Sequence, residues 1–202
     1  MCTGSKYAPV YVTRLQAAVT RNLELEHRFV CITEHRIKGV ETMAPPTDLP
    51  GWWGKIGLFK PGALAGECLW LDLDVVITGA LDKLVQAYAN CVLATPWNWA
   101  QSGHGGCQSS VMRWNAGLEN GIYSTFMQDP QGNMRRLWGD QEFITERREA
   151  GLPVTRIHED LVVSYKYHCQ EGRPPANARV VVFHGKPDPH EVNDTWVRQC
   201  WA

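Results

Sequence analysis

Two carboxylates two residues apart, Asp72 and Asp74, interrupt an almost wholly apolar run, Glu67-Cys-Leu-Trp-Leu-Asp-Leu-Asp-Val-Val-Ile-Thr-Gly79. Leu, Trp, Val and Ile bounded by Gly66 and Gly79 predict a buried central strand, in which successive side chains point to opposite faces. Asp72 and Asp74 would then face the same way, at the strand's end. Carboxylates crowded at the edge of a low-dielectric interior repel, and either one takes up a proton or a cation neutralises both. A hard divalent ion, Mg²⁺ or Mn²⁺, shared with phosphate oxygens of a substrate, suits such ligands. The structural alternative is that one Asp caps the following helix while the other is solvated at the strand end.

A second group lies in Val180-Val-Val-Phe-His-Gly-Lys-Pro-Asp-Pro189. His184, leaving an apolar strand, can complete a metal shell begun by two carboxylates. Gly185 lets a backbone N–H approach an anion, and Lys186 supplies a point charge for phosphate. Taken alone, a strand-end histidine is more often a plain surface residue.

The elements that must position these groups are legible in outline. Val12, Leu15 and Val19 recur at helical spacing after Pro9, which predicts a helix over about 9–22. A strand is expected at 27–33, a proline-marked loop over 34–51, a short helix at 52–59 presenting Lys55, the acidic strand, a helix at 80–89 and a strand at 91–94. Further on come a strand at 109–114, a weak helix at 118–127, a clearer helix at 139–150 opened by Asp140 and Glu142, and strands at 154–157 and 178–183. Acidic residues in a first helical turn also suit the helix dipole, so Asp140 has a structural reading too. Alternating strands and helices predict one α/β domain over 1–202, a largely parallel mixed sheet flanked by helices. Ligands bind beyond the carboxyl ends of such strands, where Asp72, Asp74 and His184 are expected.

At 202 residues the chain suits one domain. Lys plus Arg (20) nearly balance Asp plus Glu (21), and no basic tract is present, so the footprint of a dedicated nucleic-acid binder is missing. Nucleic acid remains open only as an acceptor. Seven scattered cysteines contain no Cys-x-x-Cys pair, which argues against zinc and fits a reducing cytoplasm. Neither a signal segment nor a membrane-spanning run is evident, so a soluble, cytoplasmic protein without a stable membrane anchor is expected. Among nine tryptophans, Trp97 and Trp99 lie in a polar, glycine-rich stretch beside His104, where aromatic rings can meet the apolar faces of sugars or bases.

The order of these motifs resembles GT-A-type glycosyltransferases, nearest to family 8, the glycogenin and galactosyltransferase-like branch, in a short bacterial or phage version. The resemblance runs through Lys6-Tyr7-Ala-Pro-Val-Tyr-Val, Phe29-Val-Cys-Ile-Thr33, Gly51-Trp-Trp-Gly-Lys-Ile56, Trp70-Leu-Asp-Leu-Asp-Val-Val76, Ser109-Ser-Val-Met112, Gly139-Asp-Gln141 and Phe183-His-Gly-Lys-Pro187. It implies a Rossmann-like fold and a nucleotide-sugar donor, in particular a UDP-sugar. It implies that Asp72, Asp74 and His184 hold Mn²⁺ or Mg²⁺, and that Gly185 and Lys186 hold the diphosphate. It further implies that Tyr7 stacks on the base, Thr33 lines its pocket, Lys55 lies near the phosphates and sugar, and Asp140 and Gln141 contact the donor sugar beside its anomeric carbon. Retention of configuration is also what family 8 implies. Two departures stand out: the apolar first strand expected before Lys6 is missing or vestigial, and Gln108-Ser109 replaces the more usual Asn followed by a small residue.

Two alternatives carry different chemistry. A silent nucleotide-sugar or carbohydrate-binding protein would keep the fold without turnover. A haloacid-dehalogenase-like phosphatase would also use Asp-x-Asp, but on its first strand and with a later paired acidic motif that this sequence lacks. The acceptor stays open among polysaccharide, lipid-linked sugar, protein and a modified DNA base, with Trp97, Trp99 and His104 as candidate contacts.

Overall fold

The computed structural model describes residues 1–99 and 105–202. Along the chain, α1 (Pro9–Asn22) leads to β1 (Val30–Ile32), β2 (Glu41–Met43), a 3-10 helix at Gly51–Phe59, β3 (Glu67–Leu71), β4 (Val75–Ile77), α2 (Asp82–Ala87), β5 (Leu93–Thr95) and β6 (Val111–Asn115). Next come α3 (Ile122–Phe126), α4 (Pro130–Arg136), α5 (Asp140–Glu149), β7 (Val154–Arg156), β8 (Val162–Ser164), α6 (Tyr165–His168), β9 (Val180–Val182), a 3-10 turn at Pro189–Glu191 and α7 (Thr195–Trp201). The architecture is the mixed α/β one predicted. Its strands fall into three short sheets in which β1–β2, β5–β7 and β8–β9 pair parallel while β4–β9 and β5–β6 pair antiparallel. Among the described residues no helix is long and apolar enough to cross a membrane.

The chain divides into two compact units. The first comprises Met1–Ala44, Leu71–Ala87 and His158–Ala202. Pro9 opens α1 after an extended Ala8, and Tyr11, Val12, Leu15, Ala18 and Val19 form its buried stripe. Both α1 and α7 pack on β4, which lies in the sheet ordered β4-β9-β8. All residues of β4 and β9 are buried, which is why both read as unbroken aliphatic triplets. Residues 1–5 form no strand, although the buried Cys2 donates its N–H to the Ile32 carbonyl of β1 at 2.8 Å.

The second unit comprises Pro45–Trp70 and Tyr88–Ile157 and carries the sheet ordered β3-β6-β5-β7. Its core packs Trp53 at a tilt against Phe126 and Phe126 edge-to-face against Phe143, with Phe59 against Trp114. The buried Arg113 pairs with Glu67 and donates to the carbonyls of Cys68 and Trp114, so its charge is met inside the sheet. Asp129 accepts from the Gly132 N–H to cap α4, whose side chains are all at least partly exposed; without an apolar stripe this helix left no periodic signal.

One expectation is corrected. The run 67–79 is not a single strand: β3 ends at Leu71 in one sheet, β4 begins at Val75 in another, and Asp72-Leu73-Asp74 joins them through a turn. Strand alternation therefore does not set the direction of the two carboxylates. Leu73 is buried between them and anchors the turn. In this turn Asp72 stays half-exposed while Asp74 is buried, so only one of the two carboxylates lies in the dry interior.

As the middle strand of its sheet, β9 should be sensitive to lost volume. Val181→Ala is expected to cost about 2–3 kcal/mol in denaturant unfolding. A loss well under about 1 kcal/mol would contradict the close packing described for this strand.

Candidate active site

The antiparallel ladder between β4 and β9 pairs Val75 with Val182, and the Phe183 N–H donates to the Asp74 carbonyl at 3.1 Å. The pairing thus continues one residue past both strands. It brings Asp74, at the amino end of β4, and His184, beyond the carboxyl end of β9, to the same sheet edge. Parallel to β9 runs β8, with Ser164 opposite Val182, so its carboxyl end opens there as well. This is where α/β sheets collect ligands.

Negative charge gathers on one flank of this edge. Asp74 accepts from the Tyr7 hydroxyl at 2.8 Å. Burial, the Asp74 charge and that hydrogen bond hold the Tyr7 proton well above the ordinary tyrosine range, with Asp72 and Asp188 adding to the effect. Tyr11, 5.0 Å from Tyr7 between ring centroids, is pushed up to about 12 by burial, Asp188 and Asp74. Tyr7 therefore holds a carboxylate, a role the sequence did not indicate; Lys6 lies over its ring at 4.6 Å. Thr33 is buried, its N–H bonded to the Met43 carbonyl and its hydroxyl accepting from the His35 N–H.

The other flank is cationic. His184 Nε2 lies 2.6 Å from the Ser164 hydroxyl, and the Tyr167 ring stacks near-parallel on the imidazole at 5.8 Å. Burial, then Lys166 and His168, depress His184 to about 4, so its ring is neutral near pH 7. Gly185 has φ +71°, and a Cβ there would lie 3.4 Å from the Lys166 ammonium. Lys186 behaves differently: it bonds Asp188 and Glu191 at 2.7 Å each, and these bonds raise its pKa. Ser164 and Lys166 are thus site residues the sequence reading missed. Their signal was Val162-Val163-Ser164, the parallel partner of β9, which was not picked out as a strand.

The remaining candidates belong to the second unit. Asp140 sits in the first turn of α5, only 3% exposed, and the Thr145 hydroxyl donates to the Gln141 carbonyl. Lys55, 8% exposed, donates to Ser109 Oγ at 3.1 Å and lies 6.0 Å from the Trp70 ring. Gln108 turns back onto Ser110 through both its amide and its oxygen, which fixes the loop presenting Ser109. Arg148 and Arg156 both lie over the Trp97 ring, at 4.9 and 4.8 Å, so this ring is already engaged. Trp99 is half-buried, and His104 lies outside the described residues. The aromatic surface beside Asp140 is instead Trp138, 82% exposed, with the 60% exposed Trp52 packed against Gly139.

The donor chemistry fits a hard divalent cation: Asp72 and Asp74 supply oxygens, Tyr7 orients one of them, and His184 is in the neutral form that can ligate. Among the described residues no three His, Cys, Asp or Glu side chains are already grouped as a ligand shell. The set Asp72, Asp74 and His184 is therefore not preassembled.

No family model and no curated protein matches the sequence. By fold the chain is similar to the glycosyltransferase GlyE of Streptococcus pneumoniae TIGR4, with a TM-score of 0.69 at 13% identity over 98% of this chain and 58% of that one. It thus spans well under two thirds of GlyE. It is also similar to the galactosyltransferase LgtC, solved with donor and acceptor sugar analogs (TM-score 0.62, 13% identity, 98% of this chain, 91% of that one). Mouse xyloside xylosyltransferase 1 matches at a TM-score of 0.61 and 12% identity, over 90% of this chain and 95% of that one. At such identities the likeness is one of fold, and the α/β fold expected from the sequence is the fold of these glycosyltransferases.

Two outcomes follow from the geometry. Tyr7→Phe should destabilise the protein by about 1–2 kcal/mol in denaturant unfolding, because a largely buried carboxylate loses a donor; unchanged stability would contradict the Tyr7–Asp74 bond. In metal-free protein, His184 should titrate near 4 rather than at its ordinary 6.5 when followed by NMR. Between those values the unfolded chain binds the proton and the folded one does not, so stability is full above about 6.5 and falls as pH drops toward 4. His184→Gln should flatten that part of the profile, and titration of His184 near 6.5 would refute the assignment.

Proposed function

We propose that the protein is a metal-dependent glycosyltransferase that moves a sugar from a nucleotide sugar, in the first instance a UDP-sugar, to an acceptor with retention of anomeric configuration. The observation that carries this reading is the β4–β9 ladder. In a chain with a glycosyltransferase fold, it joins the Asp72-Leu73-Asp74 turn to His184-Gly185 at one sheet edge.

Asp72, Asp74 and His184 would hold Mn²⁺ or Mg²⁺. When bound, that ion supplies positive charge where breaking a sugar–phosphate bond leaves negative charge. Tyr7 keeps Asp74 oriented. Gly185, lacking a side chain, lets the backbone approach the diphosphate. Asp140, a buried carboxylate, stabilises the cationic character that develops on the sugar, and Gln141 positions that sugar. Lys55, fixed by Ser109, supplies a positive charge for the donor. With Trp97 covered by two arginines, Trp52 and Trp138 are the exposed rings beside Asp140 and are assigned to the apolar faces of an acceptor.

UDP with Mn²⁺ at about 100 times its Kd should raise the melting temperature by roughly 5–10 °C, and a UDP-sugar should release UDP slowly without acceptor. Asp74→Ala should abolish the shift. Asp140→Asn should keep the shift and slow turnover at least about 100-fold. A melting shift without UDP release from any UDP- or GDP-sugar would favour the silent binding protein, and absence of both would sink the reading. Normal turnover by Asp140→Asn would remove Asp140 from catalysis.

A further inference from the structure

We propose that Lys166, rather than Lys186, is the cation that grips the phosphate groups of the donor. This inference rests on the nucleotide-sugar reading above and deepens it. The backbone alone brings Lys166 to the place: β8 and β9 are parallel, Ser164 is level with Val182, and the next residues of each chain segment leave the sheet side by side. One segment carries Lys166 on the short α6, the other carries His184 and Gly185. An ammonium over a bare glycine is the arrangement a phosphate needs, since charge and close backbone approach are offered to the same anion.

The details agree. At Gly185 the backbone is left-handed, with φ +71°, so any other residue would be strained; its absent Cβ would come within 3.4 Å of Lys166 Nζ. The same two segments are also joined by the Ser164 hydroxyl against His184 Nε2, and the Ser164 N–H donates to His168 Nδ1. Lys186, by contrast, is turned to Asp188 and Glu191 at 2.7 Å each, in the capping box where Asp188 and Glu191 close the 3-10 turn at Pro189–Glu191. Two carboxylates already match its single charge. A diphosphate recruited by Lys186 would have to displace both, whereas Lys166 already faces the glycine.

The test is calorimetric titration with two probes, UDP plus Mn²⁺ and inorganic pyrophosphate without metal. Wild type, Lys166→Ala, Lys166→Met and Lys186→Ala are compared, Lys166→Met keeping the apolar stem while removing the charge. Both Lys166 variants should bind each probe about 10- to 100-fold more weakly, with melting temperatures within about 2 °C of wild type because the side chain is exposed. Lys186→Ala should change either affinity by less than about threefold. Wild-type affinity in the Lys166 variants, or an equal loss in Lys186→Ala, would overturn the assignment. Wild type that binds pyrophosphate through Lys166 but ignores UDP with Mn²⁺ would end the nucleotide reading and leave the anion site standing. Binding of neither probe would end both.

Discussion

The β4–β9 backbone ladder is the constraint on which the metal-binding half of the account depends. Its last bond, from the Phe183 N–H to the Asp74 carbonyl, ties together two segments more than a hundred positions apart in sequence. Main-chain pairing fixes this neighbourhood whatever the side chains do, and the aliphatic triplets Val75–Ile77 and Val180–Val182 bury the ladder so that it is hard to open. Because β8 joins the same sheet parallel to β9, Ser164 and Lys166 are placed by the same logic. Three strand ends thus deliver a carboxylate pair, an imidazole, a bare glycine and an ammonium to one edge.

Charge at that edge is segregated. Asp72, Asp74 and Asp188 raise the proton affinity of Tyr7, while Lys166 and His168 lower that of His184. Each flank is electrostatically costly by itself, and each would be complemented by one part of the proposed metal–diphosphate ligand: the carboxylates by the cation, the lysine by the anion. Lys186 shows why position in a motif does not fix a role. Its ammonium faces Asp188 and Glu191 and helps hold the turn that follows β9.

Much of this was legible in the sequence where periodicity was strong. Helix α1, with Pro9 and its stripe of Val12, Leu15 and Val19, and helix α5 fall within a residue of expectation. The α/β class was also readable, whereas Asp74, expected at a strand's carboxyl end, lies at the amino end of β4. The break at Asp72-Leu73-Asp74 was not, because an apolar run with two acidic residues reads the same whether one sheet or two use it. Neither β8, α4 nor α7 was expected; for α4 the reason is physical, since a helix with no buried face leaves no periodic trace. The Tyr7–Asp74 bond and the two arginines over Trp97 are tertiary contacts, and spacing carries no information about them.

A crystal of the protein grown with Mn²⁺ and UDP, with anomalous scattering recorded at the manganese edge, tests the central claim most directly. The account predicts one anomalous peak ligated by Asp72, Asp74 and His184 Nε2, with the imidazole released from Ser164 and the diphosphate sharing the ion. A peak elsewhere on the molecule, or nucleotide bound with His184 still on Ser164 and no manganese at the carboxylates, would contradict it.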